Sequence, residues 1–391
     1  MKKPVVITLL LFIAFQTEAK PKDYLQECWN KLVRPAQGQY LTFSYQEKLN
    51  ELQHNFEPWQ QTNYAGTGVV WTNAENFLKS DTLTNLARNR SYYSKTQLTP
   101  TDLLFLDYGD KDLYSVTKSM FLDQSFQTAR YSPLRLVSYF YLQKAVMDKE
   151  TNKEFAVYTL TINKTIVRLF IGKENNLLHK VTTLHDDDLF GDVLTTYTYS
   201  NYETLANLSY PKRVDINKIN GKVKDEVIVS VGKMVPEIPA LLTKPDNYTM
   251  KEDVTPQPDV TVEKYNNHIH FIVLKHTDDK VMVVEFNDFL LVAEAPVKSS
   301  NGELIIAEAA KIAPGKPIRY FVFGHYHPHY LGGIRPFISR GAKVIASKGD
   351  QEYVNYLASA PHTLNPDQLQ RQPKPVVFEE IKDSLTITDS A

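Results

Sequence analysis

Three histidines with single-residue spacing, His325, His327 and His329, lie in segment 324–333, whose sequence is GHYHPHYLGG. A short apolar run, 320–323, precedes them and predicts a buried strand, while the two glycines allow a turn into a helix. Residues two apart at a strand end share one side, so these imidazoles can converge on one metal ion. Neutral imidazole nitrogens suit zinc. The segment therefore predicts a zinc site, and the alternative is a loop that binds nothing.

Other polar clusters also contain side chains of the kind that bind metals. His268 and His270 share one strand face, where paired histidines are usually just solvated. The run 185–188, HDDD, falls where a hairpin turn is expected. The run 107–112, DYGDKD, has the composition of a turn, with a calcium loop as the alternative. His362 lies in a predicted loop and is not assigned as a ligand. For these clusters we favour solvated turns or surfaces over metal binding.

The elements that must position the histidines alternate between strands and helices. An amphipathic run predicts a helix at 304–312, and a second helix is expected to end near Arg340. Together with strand 320–323 and a following apolar run, they form a strand–helix–strand unit. Apolar runs predict strands at 268–274, 280–286, 289–293, 320–323 and 343–346.

This arrangement resembles the metallo-β-lactamase superfamily, whose motif is His-x-His-x-Asp-His-x-Gly-Gly. The resemblance covers about 265–357, including the strand-like segment 291–296 before the motif. It implies that His325 and His327 match the first two metal ligands. His329 stands where the family has an aspartate that ligates the second metal. A zinc cofactor and hydrolysis of an unknown small-molecule substrate are therefore implied.

Two departures from the family pattern bear on activity. Tyr330 stands where the family has a second-site histidine, and tyrosine, with a pKa near 10, is a poor zinc ligand. The family's third first-site histidine should lie well downstream, and no histidine occurs at such a position before Ala391. A hydrolytic zinc site normally has three protein ligands and a water. We therefore expect a C-terminally incomplete domain with weak or lost activity.

From residue 154 the hydrophobic pattern changes to a period of two. Alternating runs separated by turn-forming segments predict an antiparallel meander of about six strands. The pattern, with the sequence YSNY at 199–202 followed by Tyr210 and Pro211, resembles lipoprotein-carrier-like periplasmic domains. This resemblance implies binding of an apolar ligand or an envelope partner.

The chain is therefore predicted to have the α+β fold class. An N-terminal helical or mixed region and an antiparallel β-meander would precede the first β-sheet half of an αβ/βα sandwich like that of the metallo-β-lactamases. Cys28 is expected at a buried apolar position of the first helix. The expected parts are a signal peptide at 1–19, the mixed region at 20–150, the meander at 151–245, a proline-rich linker at 246–260 and the partial metallo-β-lactamase-like domain at 261–391.

The N-terminus has the pattern of a secretory signal peptide. Lys2 and Lys3 precede an apolar run at 5–15, and small residues at Thr17 and Ala19 predict cleavage after Ala19. An uncleaved membrane anchor is the alternative. No later segment has the roughly 18 consecutive apolar residues of a transmembrane helix. A secreted or periplasmic protein is therefore predicted.

Composition narrows the classes of partner. The formal net charge is −1, which gives no global attraction to nucleic acid. An incomplete sheet would expose an apolar face, so self-association or a covering partner is expected. Three functions stay open: an exported metal-dependent hydrolase, a non-catalytic relative of one, and a binding protein that uses the meander.

Overall fold

The computed structural model describes the chain as two large β-sheets with helices packed on each. The predicted signal peptide at 1–19 lies outside the described residues. No helix in the described part is both long and apolar enough to cross a membrane. The structure describes residues 22–52, 55, 57–116, 128–239, 242–253 and 256–389.

The first sheet contains fourteen strands among the described residues. They are β1 (Tyr40–Leu49), β2 (Tyr64–Thr72), β3 (Phe77–Asn85), β4 (Arg90–Leu98), β5 (Leu103–Asp107), β6 (Asp112–Val116), β7 (Phe155–Ile162), β8 (Thr165–Gly172), β9 (Leu178–Asp187), β10 (Gly191–Leu205), β11 (Leu208–Lys218), β12 (Val223–Val229), β13 (Lys233–Val235) and β14 (Thr249–Asp253). Their order across the sheet is β14-β6-β5-β4-β3-β2-β1-β12-β11-β10-β9-β8-β7, and β13 also pairs with β1. Neighbouring strands are antiparallel except for the pair β14 and β6, which is parallel. Strand β14 falls within the segment 246–260 that was predicted to be a linker.

Two helices, α1 (Tyr24–Leu32) and α2 (Leu134–Leu142), share a core with the inner face of this sheet. Asp23 caps α1 by accepting a hydrogen bond from the Gln26 backbone N–H at 3.0 Å. The prediction for Cys28 is confirmed, because this residue is fully buried and its burial raises the pKa of the thiol to about 12. The helices therefore shield the apolar side of the meander.

The second sheet has seven strands in chain order. They are β15 (Val260–Lys264), β16 (Ile269–Leu274), β17 (Asp279–Glu285), β18 (Leu290–Ala293), β19 (Ile318–Val322), β20 (Lys343–Ala346) and β21 (Phe378–Glu380). Strands β15 to β18 are antiparallel, and β18 to β21 are parallel. The helices of this region are α3 (Ser299–Ile312), α4 (Pro328–Leu331), α5 (Arg335–Ser339), α6 (Gln351–Ser359) and α7 (Gln368–Arg371).

The predicted α+β class is wrong, because the described chain is mostly β. The error lies in the N-terminal region, which was expected to be helical or mixed. Residues from β1 to β6 instead form six strands that continue the meander in one sheet. Strands β3 and β4 carry polar residues on both faces, so their sequences show no alternation of apolar and polar residues.

The two sheets meet at the hairpin between β9 and β10. Leu189 and Phe190, at its tip, are buried in the core of the second region. Trp59 packs against Phe190, with 5.9 Å between ring centroids, and edge-on against Tyr353 of α6 at 5.0 Å. The Asp192 backbone N–H donates to the Pro361 carbonyl at 2.6 Å. The tip of this hairpin is thus part of the second core.

Candidate functional site

The histidine loop follows β19, whose Phe321 is fully buried. The His325 and His327 rings have centroids 6.1 Å apart, and one zinc ion can bridge this gap with Zn–N bonds of about 2.1 Å. The His327 backbone N–H donates to His325 Nδ1 at 3.1 Å. Because Nδ1 is the acceptor, the neutral His325 ring carries its proton on Nε2, and this hydrogen bond must break before either ring nitrogen can bind a metal. Tyr330 lies beside both rings, with each centroid 5.9 Å away.

The third predicted ligand, His329, lies in the short helix α4. Its side chain lies outside the part of the structure that is described. Position 329 carries an imidazole, which brings no negative charge, where the superfamily motif has a carboxylate.

A carboxylate that the sequence analysis did not select, Glu294, lies beside the histidine loop. Its backbone N–H donates to the Val322 carbonyl at 2.8 Å, directly before the loop. A Cβ at Gly324 would lie 3.3 Å from Glu294 Oε1, so glycine lets the chain pass this carboxylate. Burial, together with the neighbouring Asp279 carboxylate, raises the pKa of Glu294. An acidic residue directly after an apolar strand is the sequence signal that could have identified it.

Tyr326, between the two histidines, connects the loop to the junction between the sheets. Its ring packs edge-on against Tyr353 with 6.0 Å between centroids. Its hydroxyl is buried and has no hydrogen-bond partner among the described residues. Burial, reinforced by the Glu57 carboxylate of the first region, raises the pKa of Tyr326 to about 12.

The donor set is what decides whether the site fits zinc. No group of three or more His, Cys, Asp or Glu side chains in the described part of the chain is arranged to hold a metal. The loop offers the imidazoles of His325 and His327, and two nitrogens bind zinc weakly. A hydrolytic centre needs three protein ligands and an open position. The described residues therefore fit a two-ligand site and do not supply a catalytic one.

The other polar clusters have structural roles. The Asp107 side chain accepts hydrogen bonds from the Gly109 and Asp110 backbone N–H groups, which makes a turn. His270 is buried with Nε2 3.5 Å from a Glu285 carboxylate oxygen, whereas His268 is exposed. In the run 185–188, residues 185–187 end β9 and Asp188 begins the predicted hairpin turn. The turn packs against the second region through Leu189 and Phe190.

A separate groove crosses the first sheet where β1, β2, β3 and β12 lie side by side. Its volume is about 970 Å³, and its lining combines hydroxyls with apolar and aromatic side chains, among them Ile228 and Tyr93. Gly68 is required at this place. A Cβ there would lie 2.7 Å from the Ser80 carbonyl and 2.8 Å from the Tyr45 ring. The groove can hold a ligand or a segment of a partner.

No protein-family model matches the chain. No curated protein matches it either. Among solved structures, a metallo-β-lactamase from Pseudomonas aeruginosa in its mono-zinc form is similar to 34% of this chain, with 20% identity and a TM-score of 0.24. The match spans 54% of that protein, about half its length.

Two other solved structures are similar to the chain over a longer stretch. One is a domain from Vibrio parahaemolyticus described as an outer membrane lipoprotein-sorting protein. The match spans 54% of this chain and 90% of that domain, with 10% identity and a TM-score of 0.34. A DUF1329 family protein from Desulfovibrio piger covers 54% of this chain and 93% of its own, with 8% identity and a TM-score of 0.27. Because all three TM-scores are low, the function must be argued from the residues of this chain.

Proposed function

We propose that this protein is an exported zinc-binding protein of metallo-β-lactamase type, with little or no hydrolytic activity. The observation that carries the proposal is the pair of imidazoles in the loop after β19, with ring centroids 6.1 Å apart. Both rings come from one short loop directly after β19, which supports their convergence on one ion. The signal-peptide pattern at 1–19 supports export to a secreted or periplasmic location.

Weak activity follows from the chemistry of the ligands. Bound zinc acts as a Lewis acid and lowers the pKa of its water to about 7 when three protein ligands hold it. Here His325 and His327 supply two ligands, position 329 is not a carboxylate, and Tyr330 replaces a histidine. Loss of an outer partner alone typically costs about 10–100-fold in affinity or activity. Several losses together predict a site that holds zinc loosely and does not turn over.

Calorimetry with zinc chloride tests the metal site. We expect weak binding by the unmodified chain and none by the His325→Ala, His327→Ala double variant. His268→Ala is the matched control, because it removes an exposed histidine from another strand end and should leave binding unchanged. Equal zinc binding by the double variant would show that the metal lies elsewhere.

Hydrolysis assays with β-lactam, thioester and phosphodiester probes test the activity. We expect little or no zinc-dependent turnover by the unmodified chain. The variant His329→Asp, Tyr330→His restores the superfamily pattern, and it should tighten zinc binding without restoring turnover, because the described residues supply no third first-site ligand. Robust turnover by the unmodified chain, abolished by chelator and recovered with zinc, would overturn the proposal.

A second candidate function is binding of an apolar ligand or an envelope partner by the first sheet. The groove of about 970 Å³ is the observation that favours it. Mass spectrometry of organic extracts from purified protein would detect a co-purified lipid. Ile228→Glu, inside the groove, should abolish co-purification, while Val231→Glu, an exposed change outside its lining, should not. Lipid retained equally by both variants would exclude the groove as its site.

A further inference from the structure

The groove on the first sheet lies on the face opposite α1 and α2. Side chains alternate between the two faces of a strand, and Phe43 and Tyr45 of β1 point into the core that the sheet shares with these helices. Their neighbours Ser44 and Gln46 therefore lie on the other face, where both are exposed and line the groove. The groove is thus a surface outside the core, on which a ligand can reach the side chains directly.

The strand register aligns side chains of the groove in a row that runs across the strands. Tyr93 on β4 pairs with Thr82 on β3, and Thr82 pairs with Thr67 on β2. Thr67 pairs with Gln46 on β1, and Gln46 pairs with Ile228 on β12. Neighbouring strands lie about 4.8 Å apart, so this row is roughly 19 Å long. The groove therefore suits an extended ligand that lies across the strands.

The floor of the groove consists mainly of small hydroxyl side chains. A second row beside the first contains Ser80, Val69 and Ser44, which pair in that order across β3, β2 and β1. Ser44 Oγ donates to Ser230 Oγ at 2.9 Å. Together with the two threonines of the first row, these serines offer several hydroxyls, each of which can donate and accept a hydrogen bond.

The floor is also neutral. Asp81 is the one charged residue among the described residues that line the groove. Its carboxylate lies on the core side of the sheet, where it binds Lys79 at 2.6 Å and accepts from the Tyr45 hydroxyl at 3.4 Å. An acyl chain on this floor would bury hydroxyls without giving them partners, which costs free energy. A neutral ligand that carries its own hydroxyls fits better.

Two exposed tyrosines lie at one end of the groove. Tyr93 is 57% exposed and Tyr108 is 38% exposed. The Tyr108 backbone N–H donates to the Tyr93 carbonyl at 3.3 Å, so the two residues are neighbours. Lys95 Nζ lies 5.9 Å from the centroid of the Tyr108 ring, and Tyr248 packs edge-on against the same ring at 6.4 Å. Such rings give an apolar face on which the C–H face of a sugar ring can stack.

We propose that this groove binds a neutral, extended glycan chain, a class of polymer that occurs in cell envelopes. The proposal rests on the second candidate function and names the envelope partner in it. One sugar ring would stack on Tyr93 and Tyr108, and the following rings would lie along the row of hydroxyls towards Ile228. The hydroxyls of the glycan would pair with those of the floor, directly or through water.

Calorimetry of the full chain with chitohexaose and with cellohexaose, two neutral linear hexasaccharides, tests this proposal. We expect saturable binding of at least one of them, and roughly tenfold or more weaker binding of its monosaccharide, because one ring occupies only part of the row. The Tyr93→Ala, Tyr108→Ala double variant should weaken hexasaccharide binding roughly tenfold. Tyr92→Ala is the matched control. Tyr92 is 37% exposed on the same strand but lies on the opposite face, so its variant should bind like the unmodified chain.

A second variant tests the floor without changing its shape. Thr82→Val replaces one hydroxyl by a methyl group, and it should weaken hexasaccharide binding about two- to tenfold. Circular dichroism shows whether each variant is folded.

Three results would overturn the proposal. The first is that neither hexasaccharide binds, and the second is that a hexasaccharide and its monosaccharide bind equally. The third is unchanged affinity in both Thr82→Val and the double tyrosine variant, which would place the glycan elsewhere. A lipid that co-purifies and is lost in Ile228→Glu, without any glycan binding, would overturn the glycan proposal and leave the second candidate function standing, so the two can fail separately.

Discussion

Two buried arginines, one in each region of the molecule, make opposite use of the same side chain. Arg335, at the start of α5, is 1% exposed, and each of its guanidinium nitrogens has a partner. Asp367 binds Nε at 2.7 Å and Nη2 at 3.0 Å, while Nη1 donates to the Leu357 and Ala358 carbonyls at the end of α6. Arg130 binds two carboxylates, yet its Nη2 has no partner in the described structure.

The difference lies in whether the hydrogen bonds of the guanidinium are complete. Arg335 satisfies backbone carbonyls at a helix end and ties it to α7, so its hydrogen-bonding capacity is spent within the fold. Arg130 Nη2 is buried and has no hydrogen-bond partner among the described residues. Arg335 therefore stabilises the fold with all its nitrogens, whereas the unpartnered nitrogen of Arg130 has a desolvation cost.

The largest expected effect is that of Arg335→Leu. This variant leaves the Asp367 carboxylate and two helix-end carbonyls without their partner, and it should lower the free energy of unfolding by about 3–5 kcal/mol. Urea unfolding followed by tryptophan fluorescence measures the loss. Arg340→Leu is the control, because its ion pair with Glu303 is exposed, and it should cost less than about 1 kcal/mol. A similar loss of unfolding free energy in both variants would contradict the structural role of Arg335.

A smaller effect is expected at the junction of the two regions. Gly191 has φ +72°, and a Cβ there would lie 2.2 Å from the Pro361 carbonyl oxygen. Gly191→Ala should therefore cost about 2–4 kcal/mol, the sum of left-handed strain and a steric clash. Gly221 has φ +86° with no atom within 4 Å of its Cβ position, so Gly221→Ala should cost only about 1 kcal/mol. Equal thermal shifts would mean that the hairpin does not pack tightly against the second region.

The pH dependence of stability tests the buried His362. Burial, followed by the Arg335 charge, lowers its pKa below the ordinary value of 6.5. The unfolded chain then binds a proton that the folded chain does not, so stability should be constant above about pH 7 and fall as the pH drops below 6.5. His362→Gln should flatten this part of the profile, whereas His268→Gln, at an exposed position, should not. A profile unchanged by His362→Gln would contradict the assignment.

The smallest effect is expected for Asp188→Asn. Burial and the neighbouring Asp187 raise the pKa of Asp188, so its ionised form is disfavoured in the folded protein. Removing the charge should stabilise the protein at pH 7 by a few tenths of a kcal/mol, as for other like-charge pairs at a surface. The gain should vanish at pH 3, where the carboxyl is protonated. Thermal unfolding at both pH values measures it, and destabilisation at pH 7 would show that Asp188 supports the fold.

The regular elements were predictable where one face is apolar. The six strands β7 to β12 match the meander of about six strands expected after residue 154, and β16 to β20 lie close to their predicted positions. Strand β1 was missed although Leu41, Phe43, Tyr45 and Leu49 alternate, because Glu47 interrupts their pattern. Glu47 is buried with Arg130 and the Tyr131 hydroxyl as its partners, and both residues are far away in the sequence. Such a pairing depends on the folded structure, and local periodicity cannot show it.

The candidate sites divide in the same way. The histidine loop was recognisable because its ligands are two residues apart in the sequence. Glu294 and the groove of the first sheet were not recognised, since their groups come from segments that only the fold brings together. His325 and His327 as zinc ligands, and His329 with them, stay predictions until metal binding is measured.

The order of strands in the first sheet also has a kinetic consequence. Strands β1 to β6 and β7 to β12 are two ladders of sequence neighbours, and a single seam joins them, where Tyr45 pairs with Val229. Each ladder can form from local hairpins. Pairing of β1 with β12 at the seam, however, closes one long loop that contains the chain between these two strands. Until it closes, β1 and β12 are both open sheet edges, which are templates for aggregation. If the chain is exported as proposed above, both open edges would exist after it crosses the membrane, and slow closure of the seam would expose them to aggregation there.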